Sequence, residues 1–282
     1  MIQSIGVIGA GTMGSGIALV AAQGGFVTTL FDVNATMLDK AATAIKANLD
    51  YLISKQKVSV IEASAIFSRI TFVSDRQQCK ADLLIEAIIE NMAAKIELFN
   101  KLAVVNDCHT IFASNTSSLS ISALQTSISH PERVVGMHFF NPAPVMKLVE
   151  VVKGEQTADS VSQTVYDLCK QLNKTPVLCQ DAPGFIVNRV ARHYYLEAMK
   201  IVEQGKASIE DVDAVMEATG FKMGPFKLMD LIGLDINLSV SQSLYEAFEN
   251  APRFKPAAMQ MDKVAKGALG KKSGKGFYEY LD

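Results

Sequence analysis

The chain predicts an α/β fold: an N-terminal Rossmann-type doubly wound sheet with a helical insert, then a mostly α-helical C-terminal domain. Three observations predict it. Short runs rich in Ile and Val alternate with longer helix-like segments through the first two-thirds of the sequence. Most of those runs are continuously apolar rather than alternating, as suits strands covered by helices on both faces. A glycine-rich turn, "IGVIGAGTMGSGIA", follows the first run directly and opens a helix.

Taken in order, the runs predict strands at 4–8, 27–31, 69–73, 83–87, 110–113, 134–139 and 148–152. Between the second and third, residues 35–68 carry lysines and alanines at helical spacing. That stretch is too long for one crossover helix and reads as an inserted helical pair. The texture changes near Asp181. "DAPGFIVNRVARHYYLEAMKIVEQG" predicts a long helix opening near Pro183–Gly184 and closing at Gly205, and helical segments dominate afterwards. Only the final "GFYEY" reads as a further strand. The expected domains are residues 1–181 and 182–282.

Composition narrows the function. A chain of 282 residues, 49% hydrophobic and 20% charged, has ample material for a core. A formal net charge of −2 gives no reason to expect nucleic acid or an anionic membrane as partner. Cys79, Cys108, Cys169 and Cys179 lack CxxC or disulfide-framework spacing and read as reduced thiols, which together with the absence of a secretory leader predicts a cytoplasmic protein. No run reaches the ~18 apolar residues of a membrane span. No metal-ligand set is read.

The glycine turn carries the first functional reading. Gly9, Gly11 and Gly14 form GxGxxG between a strand and a helix. Gly9 suits a tight turn, Gly11 lets the backbone approach a pyrophosphate, and Gly14 allows close helix–strand packing. Thr12 and Met13 fall at the start of that helix. Asp32 ends the next strand, where a carboxylate can accept from adenosine ribose hydroxyls and repel a 2′-phosphate. The expected cofactor is therefore NAD rather than NADP.

"GMHFFNPAPVMKLVEVV" carries the second. His138 falls at a strand end, where ligand clefts open in α/β sheets, and imidazole titrates in the range that alcohol oxidation needs. A Pro-broken turn leads to Glu150 inside the next apolar run, and a carboxylate there could fix the tautomer of the ring. From spacing alone, a core histidine with a structural acid is an equal reading.

The chain resembles the short-chain L-3-hydroxyacyl-CoA dehydrogenases, most nearly the bacterial 3-hydroxybutyryl-CoA dehydrogenases. The resemblance runs the whole length. It is carried by "VIGAGTMGSGIA", "IEAIIEN", "FASNTSSLSI", "GMHFFNPAPVMKLVEVV", "DAPGFIVNR", "MGPFKLMDLIGLD" and "GKKSGKGFYEY". It implies that His138 is the general base and Glu150 its orienting partner. It implies that Ser117 and Asn188 contact the substrate oxygens, with Ser117 also beside the nicotinamide. Glu90, Lys95, Asn115, Asn141 and Lys263 are implied to line the cofactor site. The helical insert is implied to carry the coenzyme A arm, with Lys55 near its tip and Asn48 where relatives often have Ser.

The reading that follows is an NAD-dependent enzyme interconverting L-3-hydroxyacyl-CoA and 3-oxoacyl-CoA. Alternatives are a 3-hydroxyadipyl-CoA dehydrogenase of phenylacetate breakdown, a sugar-acid or polyol dehydrogenase, and a non-enzymatic dinucleotide-binding relative. The chain lacks the hydratase region of multifunctional β-oxidation proteins and is expected to stand alone. A homodimer is expected, because "LMDLIGLDINLSV" and "HYYLEAM" carry more apolar surface than a small helical domain readily buries.

Overall fold

A computed structural model describes residues 2–280. The chain divides into two compact units, Met1–Ala182 and Pro183–Asp282.

The first unit is built on one sheet: β1 (Ser4–Ile8), β2 (Val27–Phe31), β3 (Ile70–Val73), β4 (Leu83–Glu86), β5 (Ile111–Ser114), β6 (Val134–Phe139), β7 (Leu148–Lys153) and β8 (Thr175–Gln180). Their spatial order is β3-β2-β1-β4-β5-β6-β7-β8. The first six are parallel, β7 runs antiparallel to β6, and β8 is parallel to β7. The order reverses between β1 and β4, so the switch point at which doubly wound sheets bind ligands lies at the carboxyl ends of those two strands. β4, β5 and β6 are buried at every position, which explains why they are apolar apart from Glu86, Ser114 and His138.

Helix α1 (Thr12–Gln23) follows the glycine turn and buries Ile17, Ala18, Leu19 and Val20 against the sheet. The insert consists of α2 (Ala35–Ser54) and α3 (Val60–Ser68). Leu38, Ala41, Ile45 and Leu49 repeat at helical spacing on α2 and join the core of the sheet domain. Ser59 and Glu62 close a capping box at the start of α3. The remaining helices of the unit are α4 (Met92–Ala103), α5 (Ile121–Gln125) and α6 (Asp159–Gln171).

The second unit is helical: α7 (Val187–Glu203), α8 (Ile209–Ala218), α9 (Pro225–Ile232), α10 (Leu234–Ala247) and α11 (Ala258–Ala265). Tyr195, Leu196, Met199, Phe226, Met229 and Leu234 form its core. Two buried carboxylates stitch it together. Asp213 accepts from the N–H groups of Phe226 and Lys227 at the start of α9 and from the Tyr278 hydroxyl. Asp230 accepts from the N–H groups of Phe277 and Tyr278 and from the Tyr280 hydroxyl.

Four expectations need correction. The expected strands omit β8, an edge strand that is largely exposed, opens on Thr-Pro and carries only the short apolar run 177–179. The long helix begins at Val187 rather than at Pro183–Gly184, because Gly184 and Phe185 take left-handed φ of 72° and 49°. "GFYEY" is not a strand. Isolated bridges replace a ladder there, and the N–H groups of Phe277 and Tyr278 are taken by Asp230 instead of a neighbouring strand. The apolar side chains of "HYYLEAM" are not surplus either, since Tyr195, Leu196, Ala198 and Met199 belong to the unit's own core.

Candidate active site

The residues just beyond the carboxyl ends of β1, β4, β5 and β6 sit side by side, because those strands are parallel neighbours. The glycine turn leaves β1. Gly9 has φ of +105° and donates its N–H to the carbonyl of Phe31 at 2.7 Å. A β-carbon on Gly14 would lie 1.7 Å from the Gly9 carbonyl oxygen, so only glycine lets α1 approach this closely. Nothing lies within 4 Å of where a β-carbon on Gly11 would be, so the turn is open on that side. Thr12 and Met13 begin α1, whose first turn carries no acidic side chain. Its dipole and N–H groups therefore remain available to an anion. An open glycine turn on an unneutralised helix N-terminus fits the pyrophosphate of NAD.

Asp32 lies just past the end of β2. Its carboxylate accepts from the N–H of Ala10 at 2.8 Å and from that of Asn34 at 2.9 Å. It thus braces the glycine turn from the end of β2.

His138 and Glu150 occupy directly opposed positions of the antiparallel pair β6–β7. Glu150 Oε2 lies 2.8 Å from His138 Nδ1, with His138 6% and Glu150 0% exposed. An isolated carboxylate at such depth is costly, and the imidazole is its compensating partner. The turn between the strands is held by Lys174, whose ammonium donates to the carbonyls of Ala143 and Met146 at 2.5 and 2.9 Å. Burial, and secondarily the charge of Lys147, push the Lys174 pKa below the usual lysine value. Asn141 is exposed in this turn and precedes a cis peptide bond to Pro142. Asn115, beyond β5, accepts from the N–H of Phe139 at 2.9 Å and so ties β5 to the strand of the histidine.

Beyond β4 lies a charged network. The Lys95 ammonium, 1% exposed, meets Glu86 at 2.6 Å and Glu90 at 3.1 Å. Glu86 also accepts from the Ser114 hydroxyl at 2.7 Å and the Ile88 N–H at 2.8 Å. Glu90 Oε1 gathers the Thr116 and Ser118 hydroxyls and the N–H groups of Ser117 and Ser118. Burial works against the charge of Glu90, but Lys95 and the hydrogen bonds of Thr116, Lys95 and Ser118 outweigh it and hold the carboxyl below its ordinary pKa. Neither Asn115 nor Ser117 caps a helix, because Ser120 caps α5.

The other sequence-derived residues are carried by other elements. Asn188, in the first turn of α7, and Lys263 belong to the second unit, and the Lys263 ammonium donates to the Gly276 carbonyl at 2.7 Å. Asn48 and Lys55 are seven residues apart on the exposed side of α2. The Asn48 amide donates to the Ala44 carbonyl, and the Lys55 ammonium lies 5.6 Å from the centre of the Tyr51 ring. Sequence reasoning missed Glu86, Ser114 and Lys174. Glu86 had a signal, an acid inside an apolar run just as Glu150 is, whereas Lys174 in "LNKTP" looks like any surface lysine.

Comparison with known proteins adds four findings. The sequence profile of the 3-hydroxyacyl-CoA dehydrogenase NAD-binding domain matches residues 4–182, and that of the 3-hydroxyacyl-CoA dehydrogenase C-terminal domain matches residues 184–280. The chain is 45% identical over 99% of its length to the 3-hydroxyadipyl-CoA dehydrogenase of Escherichia coli K12, of which it spans 59%. It is 42% identical to a probable 3-hydroxybutyryl-CoA dehydrogenase of Bacillus subtilis, covering 99% of this chain and 98% of that one. The crystal structure of (S)-3-hydroxybutyryl-CoA dehydrogenase from Ralstonia eutropha superposes with a TM-score of 0.96 at 38% identity, covering 100% of both chains.

Proposed function

This chain belongs to the 3-hydroxyacyl-CoA dehydrogenases, NAD-dependent oxidoreductases, and on that premise we propose that His138 is its general base and Glu150 the partner that orients it. The observation that carries the proposal is the 2.8 Å contact between Glu150 Oε2 and His138 Nδ1 at the carboxyl end of β6. An ionised carboxylate there keeps the proton on Nδ1, so the neutral ring presents a lone pair at Nε2. NAD, held by the glycine turn and Asp32, would supply the acceptor for the hydride that leaves C3 of the hydroxyacyl group. His138 takes the hydroxyl proton at Nε2 in the same event, and Glu150 stabilises the imidazolium that results. In the reverse direction the ring returns that proton. Ser117 and Asn188 hold the substrate oxygens, and Glu90, Lys95, Asn115, Asn141 and Lys263 serve the cofactor site. Asp32 selects NAD over NADP, and Asn48 and Lys55 meet the coenzyme A arm.

The substrate class is acyl-CoA. The names of the relatives suggest two acyl ends, a short alkyl chain as in 3-hydroxybutyryl-CoA and a carboxylate-ended chain as in 3-hydroxyadipyl-CoA. We favour 3-hydroxybutyryl-CoA, because the B. subtilis relative matches over nearly its full length. Comparing kcat/KM for 3-hydroxybutyryl-CoA, longer acyl-CoAs and 3-hydroxyadipyl-CoA tests this, and a preference for the last would reverse it.

The second unit is the dimerisation surface in this reading. Leu231, Ile232 and Ile236 on α9 and α10 are 51%, 38% and 50% exposed, an apolar patch that suits a second copy of the chain. A monomeric mass in solution at micromolar concentration would contradict it. Among the described residues no helix is long and apolar enough to cross a membrane. We place the protein in the cytoplasm, a reading supported by its four free cysteines.

A further inference from the structure

β4 ends in a carboxylate that the steps above do not use. Glu86 is 0% exposed, and a buried carboxylate is retained at such depth only when it is paired and hydrogen-bonded. Its three donors come from three places: the Lys95 ammonium on α4, the Ile88 N–H beyond β4, and the Ser114 hydroxyl at the end of β5. The ammonium is shared with Glu90, but unequally, at 2.6 Å to Glu86 and 3.1 Å to Glu90. A lysine stem is flexible, so its position is dictated by the partner that holds it more closely. Glu90 in turn sets the backbone of Ser117 and Ser118 through their N–H groups at 3.1 and 3.2 Å.

We propose that Glu86 is a positioning residue for the reaction: it fixes the Lys95 ammonium, through Lys95 the Glu90 carboxylate, and through Glu90 the loop that presents Ser117. In this relay Lys95 acts on the site by holding Glu90 in place and ionised, and Ser114 keeps Glu86 in register with β5. The inference rests on reading Ser117 as a substrate contact, which Ser117→Ala tests separately through its own acyl-CoA kinetics.

The experiment uses the full-length enzyme carrying Glu86→Gln, which keeps the shape of the side chain and removes its charge. Folding is checked by circular dichroism, NADH affinity by fluorescence titration, and turnover with acetoacetyl-CoA. The relay predicts a loss of about tenfold or more in kcat/KM for the acyl-CoA, because a small misplacement of a substrate-positioning group is costly. NADH affinity should fall by less than the acyl-CoA kcat/KM does: Lys95 and Glu90 also serve the cofactor site, but the pyrophosphate and ribose contacts of the α1 N-terminus and Asp32 remain. A folded Glu86→Gln enzyme with acyl-CoA kcat/KM within about twofold of wild type would overturn the proposal. So would equal losses in acyl-CoA kinetics and NADH affinity, which would mark a general structural role. If Glu86→Gln does not fold, Ser114→Ala decides, as it removes one hydrogen bond and no charge. A selective fall of about threefold in acyl-CoA kcat/KM supports the relay, and wild-type kinetics overturn it.

Discussion

The carboxylate of Asp32 accepts the backbone N–H of Ala10 at 2.8 Å, so the residue proposed to choose the cofactor also braces the turn proposed to bind it. Replacing Asp32 with Ser removes the ribose acceptor and the charge that repels a 2′-phosphate. The preference for NADH over NADPH should then fall by more than about tenfold, read from kcat/KM with each nucleotide. Loss of the Ala10 contact should weaken binding of both nucleotides together. A wild-type enzyme that uses NADPH as well as NADH would show the assignment to be wrong.

Lys55 should matter for coenzyme A and not for chemistry. Its ammonium stands exposed at the end of α2, 5.6 Å from the centre of the Tyr51 ring. A point charge toward phosphate acts alike in ground and transition states, so Lys55→Ala should raise KM for acyl-CoA and leave kcat alone. The effect should grow at low salt, where screening is weaker. An unchanged KM at low ionic strength would make Lys55 an ordinary solvated charge.

Glu90 should contribute to acid resistance. Its folded pKa lies below the ordinary 4.5, so its stabilisation is fully present above that value and is lost as pH falls through the lowered folded one. Thr116→Val deletes one of the hydrogen bonds that lower it and moves the folded pKa back toward 4.5. The midpoint of acid unfolding, followed by circular dichroism, should shift to higher pH. An unmoved midpoint would mean that this bond does not favour the ionised carboxyl.

The parts of the molecule legible in the sequence are those whose local pattern and tertiary role coincide. The glycine turn announces itself because Gly9 and Gly14 are required by backbone geometry, a left-handed φ and a close approach, that no other residue tolerates. β4, β5 and β6 are legible because burial on both faces favours apolar side chains, which fill all their positions except Gly136 and the polar Glu86, Ser114 and His138. β8 is not, since an edge strand largely in solvent needs no such run. Glu150 drew attention as an acid between valines, but its pairing with His138 depends on the register of an antiparallel hairpin, which a Pro-rich turn does not specify locally. Lys174 could not be found at all, because its burial and both of its carbonyl partners are created by the folded turn.

The His138–Glu150 pair is the central claim, and the double-mutant cycle in kcat tests it most directly. His138→Gln should lower kcat by ~10²–10⁴-fold, the usual share of general-base catalysis, while NADH still binds to the untouched glycine turn. Glu150→Gln keeps the size of the side chain but offers the ring an amide and removes the charge that stabilises imidazolium. Its loss should approach that of the histidine variant, as in serine protease triads, where Asp→Asn costs roughly 10⁴-fold. Because one residue works through the other, the double variant should be little worse than His138→Gln alone. Folded single variants that bind NADH with near-normal kcat, or losses that simply multiply in the double variant, would contradict the dyad.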